Sequence, residues 1–202
     1  ASLWNQYDMN FQSQNSSIAE MVSKYKQDDA AGKLTENDYV AYGENFATPD
    51  KSQADKLDSA AKSELKKTAS DAFAKAFNTS KNGLYAFNAG VLQYNVFGEL
   101  DDRYYGFRGE SPALKAARTE VEKQQMDVAN KSIEWLEKAY TTLKDKTDRS
   151  KPESSSLDRS VKYLTNLYQW KRDKSRGVNA KDYDAFDAKY KLYDSEYDKY
   201  KP

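Results

Sequence analysis

Apolar residues recur along nearly the whole chain at steps of three and four, and no sustained run alternates apolar with polar residues at every second position. The first spacing keeps side chains on one face of a helix, which turns once in about 3.6 residues, whereas a half-buried strand needs the second. This contrast restricts the chain to helices. Trp4, Phe11, Ile18 and Tyr25 stand seven apart, with Tyr7, Met21 and Val22 in the adjoining row, and predict a helix over 3–26. Tyr39, Tyr42 and Phe46 share one face of a second helix that Thr35 can cap and Pro49 closes. Leu57, Ala61, Leu65, Ala69, Phe73 and Ala76 predict a third over about 50–77, and a turn over 78–83 leads into a fourth over 84–97 that ends near Gly98.

Residues 99–110 carry Tyr104, Tyr105 and Phe107 among Gly98, Gly106 and Gly109, and read as a loop pinned by aromatic side chains. Ser111 and Pro112 then supply a cap and a first-turn proline for a long rod ending near Lys144, along which Leu114, Val121, Val128 and Trp135 repeat every seven residues. Residues 145–156, with Pro152 and several serines, read as a linker, and two last helices cover about 157–174 and 180–200. The expected fold class is all-α: about seven helices in antiparallel hairpins, stacked as a short array or bundle in a single domain over 1–202.

Composition narrows the chemistry. There is no histidine and no cysteine, which removes imidazole bases, thiolate nucleophiles, disulfides and the commonest zinc ligands. The carboxylate pairs Asp101/Asp102 and Asp182/Asp184 could serve as acid and base or hold a cation, but the segment Asp182 to Phe186 lacks the third ligand and central glycine of a calcium loop, surface carboxylates are common, and no phosphate-binding glycine loop is present. No enzyme activity, cofactor or metal is therefore expected. The 32 basic residues balance the 32 acidic ones, and the longest basic cluster, Lys171 to Arg176, is broken by Asp173 and Ser175, so nucleic acid is not an expected partner. No stretch approaches the roughly 20 apolar residues of a membrane-spanning helix. The lack of cysteine and the start at Ala1 fit an exported protein, with a cytoplasmic one as the alternative.

Helical arrays bury their apolar faces by stacking similar hairpins, which makes internal repeats informative. Residues 69–76 and 132–139 share one pattern: a small residue, three residues, a large apolar one (Phe73 or Leu136), two residues, then Ala76 or Ala139. Phe87, Gly90, Val91 and Tyr94 follow the first copy, and Val161, Leu164, Thr165 and Tyr168 follow the second. This arrangement resembles the alternating second and first helices of divergent tetratricopeptide repeats, and the layout of 82–170 is similar to repeat proteins of Bacteroidetes-type bacterial cell envelopes. The resemblance implies helical hairpins over 51–174 with an insertion over 98–131, between an N-terminal helical cap (1–50) and a C-terminal helix (175–202). The long spacing between Tyr94 and Ser132 departs from the family's repeat, and residues 1–50 match none of it.

The family binds partners on the first helix of each hairpin. Its ligand-facing positions carry over to Tyr85, Asn88, Leu92 and Asn95 on one helix and to Arg159, Lys162, Asn166 and Gln169 on another. Lys162 and Asn166, four residues apart, match positions that donate to a partner's carboxylates. The function expected is a non-enzymatic scaffold for a protein or peptide, in a periplasmic or other envelope setting. The alternative is a glycan or small-ligand binder using Arg103, Tyr104, Tyr105 and Arg108, since planar aromatics beside guanidinium groups suit stacking on sugars and recognition hot spots.

Overall fold

Each helix of the computed structural model, which describes residues 17–201, begins at a polar side chain that takes up one of the N–H groups a helix start leaves unpaired. Ser17 caps α1 (Ile18–Ala30) and Thr35 caps α2 (Glu36–Ala47), in both cases with an acid three residues on that bonds back. Asp50 caps the single turn α3 (Lys51–Ala54), Asp58 caps α4 (Ser59–Ser80) and Asn82 caps α5 (Gly83–Gly106). Ser111 caps α6 (Pro112–Lys144), Ser150 caps α7 (Lys151–Ser175) and Asn179 caps α8 (Ala180–Ser195). The described residues contain no strand, so the all-α class holds, with eight helices among them. Residues 3–16 of the first predicted helix lie outside the described residues.

Several boundaries differ from expectation, each for a local reason. The helix predicted over 50–77 is broken, because the Asp58 carboxylate accepts the Ala61 N–H at 2.7 Å and starts α4 afresh after α3. That helix runs on to Ser80 and stops at Lys81, whose φ of 59° is left-handed. The segment 99–110 is not a loop: α5 continues through Gly98 to Gly106, because Val96 and Leu100, one turn apart, are both buried and hold the extra turns down. Only 107–111 connects α5 to α6. The proposed linker over 145–156 is also shorter, since Ser150 and Glu153 form a reciprocal cap and Pro152 sits in the first turn of α7, where a missing N–H costs nothing. After Ser195 the chain leaves the helix and turns.

Successive long helices are antiparallel. Ser70 donates to the Ala89 carbonyl and Ser63 to Glu99 across α4 and α5, while Ser132 donates to the Gly90 carbonyl and Gln125 to Asp101 across α5 and α6. Arg176 over Tyr183, Arg172 over Tyr190 and Lys162 over Tyr197 set α7 against α8 and the turn after it in the same sense. Helices two hairpin arms apart are parallel. Tyr25 meets Asp71, and Asp29 meets Lys75, between α1 and α4, and Glu137 meets both Lys189 and Tyr193 between α6 and α8.

Helix α5 is the centre of the packing. It lies against α4, α6 and α7, and it contributes to all three apolar clusters, with Ala86 and Phe87 in one, Ala89 and Leu92 in a second, and Val96 and Leu100 in the third. Close approach is possible because Ala86 and Ala89 are small and Gly90 has no side chain. A Cβ at Gly90 would lie 2.7 Å from Leu136 Cγ and 3.0 Å from the Leu136 backbone nitrogen.

Candidate partner-binding face

Stacking α5 beside α7 in parallel brings together side chains that are far apart in sequence. Along the seam the Arg159 guanidinium lies 5.0 Å from the Phe87 ring, Tyr94 and Tyr163 stack at 4.2 Å, and Asn166 donates to the Tyr94 hydroxyl at 3.1 Å. Further along, Phe97 meets Trp170 edge-on at 5.1 Å, and the Lys174 ammonium lies 4.8 Å from the Tyr104 ring. Both helices put large residues here at steps of three, four or seven, which keep them on one face: Phe87, Tyr94, Phe97 and Tyr104 on α5; Arg159, Tyr163, Trp170 and Lys174 on α7. The offset between partners stays near the 72 residues that separate Tyr94 from Asn166. The result is a ladder of alternating rings and cations, half-buried on the core side and open at its polar edges.

The sequence-derived positions divide against this ladder. Arg159, Asn166 and Gln169 are exposed on α7, and Asn95 is exposed on α5. Arg159 is held in place from two sides, over Phe87 and by donation to the Tyr163 hydroxyl at 2.9 Å, and no carboxylate pairs with it among the described residues. Lys162 and Asn166 point to different neighbours. Lys162 pairs with the buried Asp158 at 2.7 Å and lies 5.7 Å from the Tyr197 ring, so its charge is already answered inside the chain. Leu92 is buried in the cluster that includes Tyr42 and Phe46, and Tyr85 and Asn88 are half-buried. Burial raises the Tyr85 phenol above its ordinary pKa, with the negative charges of Glu36 and Glu44 adding to it, which sets the first turn of α5 beside α2.

The aromatic segment at the end of α5 is split. Tyr105 is 70% exposed and meets Tyr104 edge-on at 5.3 Å, whereas Tyr104 is half-buried beneath Lys174. Arg103 lies 5.9 Å from the Phe107 ring, and Arg108 is exposed. Tyr94, Phe97, Tyr163, Trp170 and Lys174 were not singled out as surface residues from sequence. Their spacing of three, four and seven residues marks a face, but the face that opposes it lies on a helix some seventy residues away.

Many of the sixteen tyrosines serve a different purpose, as hydroxyl donors to acids between helices. Tyr168 and Tyr193 both donate to Glu137 Oε1, at 2.9 and 3.0 Å, and Lys189 lies 2.8 Å from the same oxygen. Burial pushes the Glu137 carboxyl upward, but these three donors outweigh it and hold the pKa below the ordinary glutamate value. Burial and the Glu137 charge raise both phenols well above the usual tyrosine range. Tyr140 and Tyr200 converge on Glu196 in the same manner, and Tyr25 donates to Asp71 while Tyr39 donates to Asp29.

One acid of each pair noted in the sequence has a structural partner. Asp101 accepts from Gln125, and Asp182 exchanges hydrogen bonds with its cap Asn179. Among the described residues no group of three or more acids is placed to hold a metal ion, and no helix is long and apolar enough to cross a membrane.

Fold and face together define a class: an all-α protein of antiparallel helices packed as a bundle or short array, with an aromatic and cationic seam on one surface. Comparison with protein-family models, with curated proteins and with solved structures finds no match to this chain.

Proposed function

We propose that this protein is a non-catalytic scaffold of tetratricopeptide-like hairpins that binds a protein or peptide along the α5–α7 face, in a bacterial envelope setting. The observation that carries the reading is the parallel, in-register pairing of α5 and α7 through the Tyr94–Asn166 contact. In a stack of hairpins the first helices of successive units lie side by side in the same direction, and their shared surface is long enough to receive an extended segment. Arg159, held over Phe87 and Tyr163, supplies a pre-ordered donor at one end of it. The aromatic rungs supply contact area with little side-chain freedom to lose on binding.

The test is affinity capture from an envelope extract followed by titration of the captured partner against variants. Arg159→Ala combined with Asn166→Ala should weaken binding at least tenfold, the scale of one lost charge-assisted hydrogen bond, about 1.4 kcal/mol. An unchanged affinity places the partner elsewhere and removes this reading. A second reading, glycan stacking at the end of α5, is favoured by the exposed ring of Tyr105. It requires a glycan whose binding is lost in Tyr105→Ala, and a silent glycan array discards it.

A further inference from the structure

The surface shared by α5 and α7 is almost free of charge, in a chain of which 32% of the residues are charged. From Gly83 to Gly98, α5 carries no charged residue, and from Ser154 to Trp170, α7 carries only Asp158, Arg159 and Lys162. A solvated side of this chain looks different: α6 exposes Glu120, Lys123, Asp127, Lys131 and Glu134. Depletion of charge, with aromatic rings and arginine in its place, marks the core of a protein interface. The face also holds hydrogen-bonding groups that are not spent. The side-chain amides of Asn88, Asn95 and Gln169 bond to no other described residue, and Asn95 and Gln169 are exposed.

One charge on this face remains unanswered. The buried Asp158 pairs with Lys162 at 2.7 Å, which leaves Arg159, fixed by Phe87 and the Tyr163 hydroxyl and paired with no carboxylate among the described residues. The acids of neighbouring elements are turned away or spent. Glu36 and Glu44 of α2 stand near Tyr85, which points away from Phe87, since residues two apart lie about 200° apart around a helix. Glu153 in the first turn of α7 is paired with Lys146. The first acid on α5 is Glu99, about 18 Å along the axis from Phe87 and beyond the screening length of about 8 Å in physiological salt. We propose, resting on peptide binding at this face, that the bound segment is extended and uncharged apart from one aspartate or glutamate, whose carboxylate sits on the Arg159 guanidinium. The free amides of Asn88 and Asn95 hold its backbone, standing about 10 Å apart along α5, the length of about three extended residues. Helix α7 continues for about two turns beyond Arg159 toward Lys151, so the segment passes over the guanidinium and the carboxylate belongs to a side chain, not to a chain end.

The full chain is used to select from a phage-displayed library of random dodecamers that have no free C-terminus. Enriched peptides should share one aspartate or glutamate and carry fewer other charged residues than the unselected library. Arg159→Glu, selected in parallel, should exchange that acid for lysine or arginine. One enriched peptide is then synthesised with both ends blocked and titrated by fluorescence anisotropy. Arg159→Gln should weaken it about tenfold, the scale of one charge-assisted hydrogen bond, and Asn95→Ala about fivefold. The same peptide with lysine in place of its acid should bind Arg159→Glu more tightly than wild type. Arg159, Asn95 and Asn166 are exposed, so these variants should keep the wild-type far-UV circular dichroism. Enriched peptides that are basic, share no acid, or are the same for wild type and Arg159→Glu overturn the proposal; if their binding is still lost in Asn95→Ala with Asn166→Ala, peptide binding at the face stands without it. Peptides indifferent to every one of these variants, or no enrichment at all, overturn both.

Discussion

Glu137 shows how this chain uses a buried acid. Its oxygen gathers two phenols and an ammonium from two other helices, so removing it strands three donors at once. Glu137→Ala should cost about 2–3 kcal/mol in urea denaturation, the scale of losing charge-assisted bonds in a partly buried site. A loss near zero would mean that water replaces the carboxylate. The same cluster sets a pH dependence at both ends of the scale. The Glu137 pKa is lowered in the folded state, so its contribution is present above the ordinary glutamate pKa and is lost as pH falls through the folded value. Glu153 follows the same sign: the Lys146 ammonium and the Ser150 cap hold it down at about 2. Tyr168 and Tyr193 are raised, so their contribution is intact below the ordinary tyrosine pKa near 10 and is lost as pH climbs through the higher folded values. Thermal melts should therefore fall steeply below about pH 4 and again above about pH 10, with the acid limb shallower in Glu137→Gln. The sequence displayed the tyrosines and the acids, but it did not display that Tyr168 and Tyr193 meet Glu137 or that Tyr140 meets Glu196, because these partners lie 31 to 56 residues apart.

At the scale of the element, α5 offers a paired test of what a glycine does inside a helix. At Gly90 an added methyl meets the Leu136 side chain and its backbone nitrogen, and the backbone cannot turn aside. Gly90→Ala should destabilise by about 1–2 kcal/mol, since overpacking exceeds the gain of up to about 1 kcal/mol in helix propensity. At Gly98 an added methyl meets nothing within 4 Å, so Gly98→Ala should stabilise by about 0.5–1 kcal/mol. Chemical denaturation of the two variants reads both effects, and equal shifts of the same sign would refute the packing argument. These two residues also explain what local sequence could and could not say. The apolar period that starts α5 and the caps at Thr35 and Ser111 were visible, because each depends on residues within one or two turns. The extension of α5 through Gly98 was not visible. A glycine after an apolar run reads as a stop until the burial of Val96 and Leu100 against α6 is known.

At the scale of the whole molecule, stability should be graded along the array. Helix α5 has packed neighbours on three sides and fully buried residues, whereas α8 contributes only Tyr193 to the buried core and exposes Leu192. Native-state hydrogen exchange should therefore be slowest in α5 and fastest, among the long helices, in α8; comparable protection in both would contradict a graded stack. The sequence by itself determined that the chain forms helices, roughly where they begin, and that histidine and cysteine chemistry is absent, because periodicity, caps and composition are properties of neighbouring residues. Only the tertiary structure decided that α5 and α7 run parallel, that Lys162 turns to Asp158 while Asn166 turns to Tyr94, and that Arg159 rests on Phe87. Those facts depend on how helices cross and how closely small residues let them approach, and side chains brought together across some seventy residues of chain leave no local mark on the sequence.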